Sequence, residues 1–347
     1  MRIGLIARAD KTGLGVQTFN FWRNMKPAAT LIVDLSHCSG QKPNVAMYRG
    51  GGEIAVWHDR TYPSIKPSPQ PVVEEFLRKV DVVFTCETFY NYWVIERARE
   101  LDVRTVLQPN YEFLDYLIHP DLPEPDAFAL PSTWHIDDIR MALPGRDVRY
   151  VPVPIDRELL PYRHRPELRR ILHPAGTPAA EDRNGTLLLI EAMRHVKSPV
   201  RAIVRSQKQL GVSNPPANVH IDRSDVPNYW DLYRDEDLMV MPRKFGGLCL
   251  PMQEALAVGM PVLASDVAPQ REFLPEALRV SAPKTHEIMT RAMIGIHQAN
   301  PLDLARRIDE LHEDRDTFAS LSSWTQEWAE AHTWDALRPS YEEVLGG

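Results

Sequence analysis

Short apolar runs alternate with longer helix-like segments along this 347-residue chain, and that rhythm restricts the fold more than any other feature. Strands separated by helices need crossover connections, which lay the strands parallel in an α/β sheet. Strands are predicted at 2–7, 29–35, 81–87, 104–110 and 127–132, with helices between them; "PVVEEFLRKV" carries Pro71 near its first position. Residues 36–71, rich in Gly, Pro and Ser, read as a long loop or a broken region. The series then restarts. "RYVPVPID" (149–156) leads into a basic, proline-containing stretch. Further strands are predicted at 170–176, in "VRAIVRSQ", at 238–242 and at 260–266, and three helices close the chain. "NYWDLYRDED" reads as a helix ahead of the strand at 238–242. Two α/β halves of similar size, joined near residues 150–165, follow from this pattern.

Charge and cysteine usage narrow the function. The net charge of −7 argues against a general nucleic-acid binder. Residues 301–347 hold 4 Lys/Arg and 11 Asp/Glu, so they carry 4 − 11 = −7 and leave the rest of the chain near neutral. The three cysteines, Cys38, Cys86 and Cys249, are far apart and form no zinc spacing or disulfide framework, which points to a reducing compartment. No apolar stretch reaches the length of a membrane span, and the start does not read as a signal peptide. The expectation is a soluble, cytoplasmic protein without integral membrane association.

The densest chemistry lies in "RKFGGLCLPMQEALAVGMPVLASD" (243–266). A strand ends in "LMVMP", two glycines follow, and a helix starts near Pro251 and stops before Gly259. In a parallel sheet, ligands bind at the carboxyl ends of strands. A glycine loop leading into a helix N-terminus offers unpaired N–H groups and partial positive charge, which suits phosphate. Arg243 and Lys244 add cations beside Gly246, Gly247, Leu248 and Cys249. Glu254, about one turn into the helix, suits the paired hydroxyls of a ribose. Phosphate and ribose together mean a nucleotide. The plainer alternative is a tight turn, with Glu254 compensating the helix dipole.

This segment resembles the donor site of retaining GT-B glycosyltransferases of the family 4 type, whose pattern is E-G-F-G-L-P-x-x-E-A-x-A-x-G-x-P-V-x-A-S. Pro251, Glu254, Ala255, Ala257, Gly259, Pro261, Val262, Ala264 and Ser265 match in register. "RADKTGLGVQTFNF", "YVPVPIDRELL", "EDRNGTLLLIEAM", "VPNYWDLYRDEDLMVMP" and "WTQEWAEAHTWDALRPSYEEVL" resemble other family segments in order. The resemblance implies two Rossmann-like domains facing a central cleft. These would be an acceptor domain at 1–152, a nucleotide-sugar donor domain at 153–325, and a C-terminal helix at 326–347 returning to the first domain. It also implies metal-independent transfer, with retention, from a nucleotide-diphosphate sugar (a UDP-sugar favoured) to an acceptor hydroxyl, without a cofactor. In two places the chain departs from the pattern. Gly246 stands where the family has its first glutamate. The family also has a histidine after the strand at 104–110, where this chain offers Asn110, Tyr111 and Glu112, with His119 a few residues late.

Other candidates follow from position. Gly13 and Gly15 form a G-x-G after the first strand, where a loop can approach donor phosphate and acceptor. Arg183 stands where the resemblance places a diphosphate-binding lysine. Arg205 and Lys208 follow a strand and could reach phosphate, or lie in an exposed loop. Glu87, with Asn110 and Glu112, is a catalytic candidate in the first half, and Glu272 a donor contact or helix cap. Asp235–Glu236–Asp237 reads as a charged corner, and no metal is assigned. Trp324, Trp328 and Trp334 read as packing for the closing helices. Residues 36–75 interleave Lys42, Arg49, Arg60 and Lys66 with Tyr48, Trp57, His58 and Tyr62, against Glu53, Asp59, Glu74 and Glu75. Arg49, Trp57 and Arg60 are the acceptor candidates. The acceptor itself is open: protein, glycan, small molecule or a hydroxylated base in DNA. A GT-B epimerase and a non-catalytic nucleotide-sugar binding protein are the rival readings.

Overall fold

A computed structural model describes residues 1–58, 60–176, 180–224, 226 and 228–347; Asp59 lies outside the described residues. The chain forms two compact units, one made of Met1–Pro154 with Trp334–Gly347 and the other of Ile155–Thr333.

Unit 1 runs β1 (Ile3–Ala7), α1 (Gly13–Met25), β2 (Ala29–Val33), α2 (Ser36–Ser39), β3 (Glu53–Trp57), α3 (Pro71–Leu77), β4 (Val82–Cys86), α4 (Trp93–Glu100), β5 (Arg104–Gln108), β6 (Ala127–Leu130), α5 (Ile136–Ala142) and β7 (Asp147–Tyr150). Its seven strands pair in parallel in the order β3-β2-β1-β4-β5-β6-β7. Strands β2, β4 and β6 are buried along their whole length, as expected where helices cover both faces of a parallel sheet. Residues 36–71, read as a long loop or a broken region, hold α2 and β3. β3 is an edge strand, "EIAVW", whose first four residues are exposed or half-buried, so it lacks the apolar run that marks its neighbours.

Unit 2 runs β8 (Arg170–Gly176), α6 (Thr186–Ala192), β9 (Arg201–Ser206), β10 (Val219–Asp222), a 3₁₀ helix (Tyr229–Tyr233), β11 (Leu238–Met241), α7 (Leu250–Ala257), β12 (Val262–Ser265), α8 (Gln270–Phe273), β13 (Arg279–Val280), β14 (Lys284–Met289), β15 (Met293–His297), α9 (Pro301–Glu313) and α10 (Arg315–Ala331). The main sheet has the order β10-β9-β8-β11-β12-β13, and β14 pairs with β15 in a separate antiparallel hairpin. The sequence reading missed β10, β13 and this hairpin. It also expected a full helix in "NYWDLYRDED", where the chain makes one 3₁₀ segment. The last helix, α11 (Trp334–Gly346), belongs to unit 1, where Trp334, Tyr341, Val344 and Leu345 pack with Phe21 and Phe84.

In both units the strand order reverses beside the first strand: between β1 and β4, and between β8 and β11. Open α/β sheets bind ligands at such a reversal, above the carboxyl ends of the strands.

Candidate functional site

The loops after β8 and β11 meet at the reversal in unit 2. The Lys244 N–H donates to the Arg183 carbonyl at 2.9 Å. Gly185, at φ +72°, makes the approach possible, because a Cβ there would meet the Pro242 carbonyl and come 2.8 Å from the Pro242 ring. Asp182 caps α6, accepting from the Thr186 and Leu187 N–H groups at 2.9 Å each. Burial raises the Asp182 carboxyl above its ordinary range, while those N–H groups and Lys244 oppose the rise.

Two guanidinium groups converge on Gly246 in the loop after β11. A Cβ at Gly246 would lie 2.5 Å from Nη2 of Arg183 and 2.5 Å from Nη2 of Arg243, and its φ of +116° admits only glycine without strain. Arg243 is 2% exposed. It donates from Nη1 to the Gly247 carbonyl at 3.3 Å, Nε has no hydrogen-bond partner, and no carboxylate pairs with it among the described residues. The Arg183 guanidinium lies over the Phe245 ring, 5.4 Å from its centroid. Helix α7 starts three residues beyond this glycine pair with Pro251 in its first turn and no side-chain cap. Two other helix starts are filled by the chain itself: Thr12 caps α1 by accepting from Gly15 N at 3.2 Å, and Asp182 caps α6. A buried cation without a counter-ion, a second guanidinium and an uncapped helix N-terminus together form a cradle for an anionic group.

Glu254 lies on α7 at 3% exposure. Its Oε2 accepts from the Tyr229 hydroxyl at 2.8 Å and from the Tyr233 hydroxyl, while Oε1 is buried without a hydrogen-bond partner. Burial pushes the carboxyl up to about 7, against the pull of the two hydroxyls. Both tyrosines stand on the 3₁₀ helix, which Asn228 and Asp231 close with a reciprocal cap. Sequence reasoning singled out neither tyrosine. Their spacing of four places two hydroxyls on one face of a helical turn, and that was the available signal. Arg165 fixes this helix from behind. Its guanidinium donates to the carbonyls of Tyr233 (2.9 Å), Glu236 (3.2 Å), Arg163 and Val258.

The other candidates separate by position. Arg205 pairs with Asp222 across β9 and β10 at 2.6 Å. Lys208 is exposed beyond β9. Asp237 accepts from the Arg169 and Arg170 N–H groups, Asp235 faces Arg234, and Glu236 is buried, so the three acids do not converge. Gly13 starts α1. Gly15 lets Asp10 approach that helix, since a Cβ there would meet the Asp10 carbonyl and come 2.6 Å from its carboxylate. Asp10 also accepts from Thr12 N at 3.0 Å and pairs with Arg8, so its carboxylate is held beside the G-x-G loop.

Glu87 follows β4 at the reversal in unit 1, at φ +69°, with its N–H donating to the Gln108 carbonyl at 2.9 Å. Asn110 opens the 3₁₀ turn after β5 and accepts from Phe113 N at 3.0 Å, Glu112 is buried within that turn, and His119 is exposed beyond it. Arg49 and Arg60 are exposed. Trp57 is corrected: it ends β3 at 1% exposure inside the core of unit 1, its indole N–H donating to Gln70 at 3.3 Å, so its faces are not open for stacking. Glu272 lies in the short helix α8, where burial raises its carboxyl. Trp328 and Trp334 are buried, and Trp328 stacks on His332 at 4.0 Å.

Two doubly wound α/β units with matching strand order, each reversing beside its first strand, define a GT-B protein. Residues 217–328, which hold the 3₁₀ helix, the glycine loop and α7, match the family described as "Glycosyl transferases group 1". Three solved structures share the fold over almost the whole chain. Anabaena Alr3699/HepE in complex with UDP-glucose has 13% identity, covers 100% of this chain and 99% of its own, and gives a TM-score of 0.69. A glycosyltransferase from Rickettsia africae ESF-5 has 12% identity, covers 99% and 98%, and gives 0.67. The lipopolysaccharide outer core galactosyltransferase WaaB in its apo form has 14% identity, covers 100% and 99%, and gives 0.62. No curated protein matches the chain.

Proposed function

We propose that the chain is a glycosyltransferase of the family 4 type. It transfers a sugar from a nucleotide-diphosphate sugar, a UDP-sugar in the first instance, to an acceptor hydroxyl with retention and without a metal. The observation that carries this reading is the convergence of Arg183 and Arg243 on Gly246 beside the uncapped start of α7. The diphosphate would lie on those guanidiniums and Lys244, with the ribose hydroxyls on Glu254 Oε1. Cations aimed at the leaving diphosphate stabilise the charge that develops there as the glycosidic bond breaks. The bound UDP-glucose of Anabaena Alr3699/HepE supports the choice of nucleotide, and the family 4 resemblance supports retention. The acceptor would dock on unit 1, with Glu87 and the exposed Arg49 and Arg60 as its candidate contacts. A hydroxylated DNA base remains the specific alternative, and it requires binding that weakens steeply with salt.

The direct test measures UDP binding by calorimetry at pH 8 and UDP release from UDP-sugars. Glu254→Gln is expected to weaken UDP binding by about 1.5–3 kcal/mol, the worth of a charged hydrogen bond. An unchanged Kd in the folded variant removes Glu254 from the site. UDP binding without release from any sugar donor would favour a non-catalytic binding protein, a reading that the glycine at 246 motivates. Chelation is the second check. With three cations at the loop, EDTA is expected to leave UDP release within about twofold of its starting rate, because the charge work is done by side chains. A complete loss restored by manganese or magnesium would overturn metal independence.

A further inference from the structure

Glu254 is held in an unusual way for a ligand-binding carboxylate. Its two oxygens have different surroundings: Oε2 takes both tyrosine hydroxyls, and Oε1, equally buried, takes none. A buried acceptor left unsatisfied costs free energy, and such groups in folded proteins call for an explanation. We infer that Tyr229 and Tyr233 are positioning residues for the nucleotide: by occupying Oε2 they fix the rotamer of Glu254, keep its charge, and leave Oε1 as the atom that receives a ribose hydroxyl. This rests on the donor-site reading above.

The surroundings support the assignment. The two hydroxyl donors are the groups that oppose the effect of burial on the anion. The titratable groups that act on it are Tyr229 and Tyr233 on the 3₁₀ helix, and the Cys249 thiol before α7 acts on Tyr229. From the segment before β8, the Arg165 guanidinium reaches the carbonyls of Tyr233 and Val258 rather than the carboxylate. Burial has already brought Glu254 to about 7. The sign is therefore set. As pH falls through that value the carboxylate gains a proton, loses acceptor strength and binds a ribose less well. Loss of a tyrosine hydroxyl moves that midpoint upward.

The experiment compares UDP with 2′,3′-dideoxy-UDP, which keeps the diphosphate and its own titration but lacks the ribose hydroxyls. Binding is measured from pH 5.5 to 9 for the wild-type chain, Tyr229→Phe and Tyr233→Phe. Each Phe keeps the ring, so at least one variant is expected to fold. The expected result is a midpoint for UDP raised by about one pH unit, giving about a fivefold loss of affinity at pH 7 and less than twofold at pH 9. Dideoxy-UDP should bind all three proteins alike at every pH. If the variants lose UDP and dideoxy-UDP equally, or bind UDP with the wild-type midpoint, the tyrosines are structural and the inference fails while the donor site stands. If the wild-type chain binds neither ligand at any pH, the donor-site reading falls and this inference with it.

Discussion

Arg165→Met is expected to lower the unfolding free energy of unit 2 by about 3–5 kcal/mol, through buried carbonyls left without their donor. Arg165 is 1% exposed, and no carboxylate pairs with it among the described residues. Its guanidinium is satisfied instead by four backbone carbonyls, those of Arg163, Tyr233, Glu236 and Val258. Burial pulls its pKa down to about 10, still far enough above neutrality to keep the charge. Methionine fills part of the volume and leaves the buried carbonyls of Tyr233 and Glu236, and the part-buried one of Arg163, without this donor, at about 1–3 kcal/mol each before relaxation, while Val258 O still accepts from Arg163 N at 3.0 Å. Lysine keeps the charge but lacks the planar fork, so Arg165→Lys should fall between wild type and methionine. The consequence for function follows from which carbonyls are involved. Tyr233 O ends the 3₁₀ helix and Val258 O ends α7, so one side chain ties together the two elements that carry Tyr233 and Glu254. Denaturant unfolding of the three proteins measures the effect. A methionine variant within about 0.5 kcal/mol of wild type would show that water or a backbone shift replaces the arginine.

The same residue shows where sequence reading stops. Strand and helix order in the central parts of both units was legible, because β2, β4, β11 and β12 are apolar runs buried on both faces. Edge elements were not. β3 and β10 present exposed or half-buried residues along most of their length, and the β14–β15 hairpin stands outside the main sheet, so none has an apolar signature. At the site, Glu254, the glycine pair and the cations could be read from a local pattern of strand, turn and helix start. The partners of Glu254 lie 21 and 25 residues away on a 3₁₀ segment, and only the fold brings them in. Trp57 and Arg205 show a related limit. In the sequence each is an aromatic or a cation in a suitable stretch, and burial in a core or a partner on the next strand decides whether a ligand can use it.

Gly246→Glu, which restores the residue that the family 4 pattern carries at this position, is expected to reduce UDP affinity by at least about 100-fold rather than improve the site. Two costs add. The backbone at φ +116° is open to glycine and strained for any residue with a Cβ, by about 1–2 kcal/mol. The added Cβ would also stand 2.5 Å from Nη2 of both Arg183 and Arg243, so the guanidiniums must move apart. A glutamate then brings its own carboxylate to two cations, one of them buried, and fills the place proposed for the diphosphate. Charge-assisted pairing with a tethered carboxylate competes with a free ligand at high effective concentration. Gly246→Ala separates the two costs, since it has the Cβ without the charge, and should lose about 10-fold. Calorimetry with UDP on both variants reads the difference. A glutamate variant that binds UDP as well as wild type, or releases UDP from UDP-glucose faster, would mean that Arg183 and Arg243 do not hold the diphosphate. The anion cradle at Gly246 would then have to be given up as the basis of the donor site.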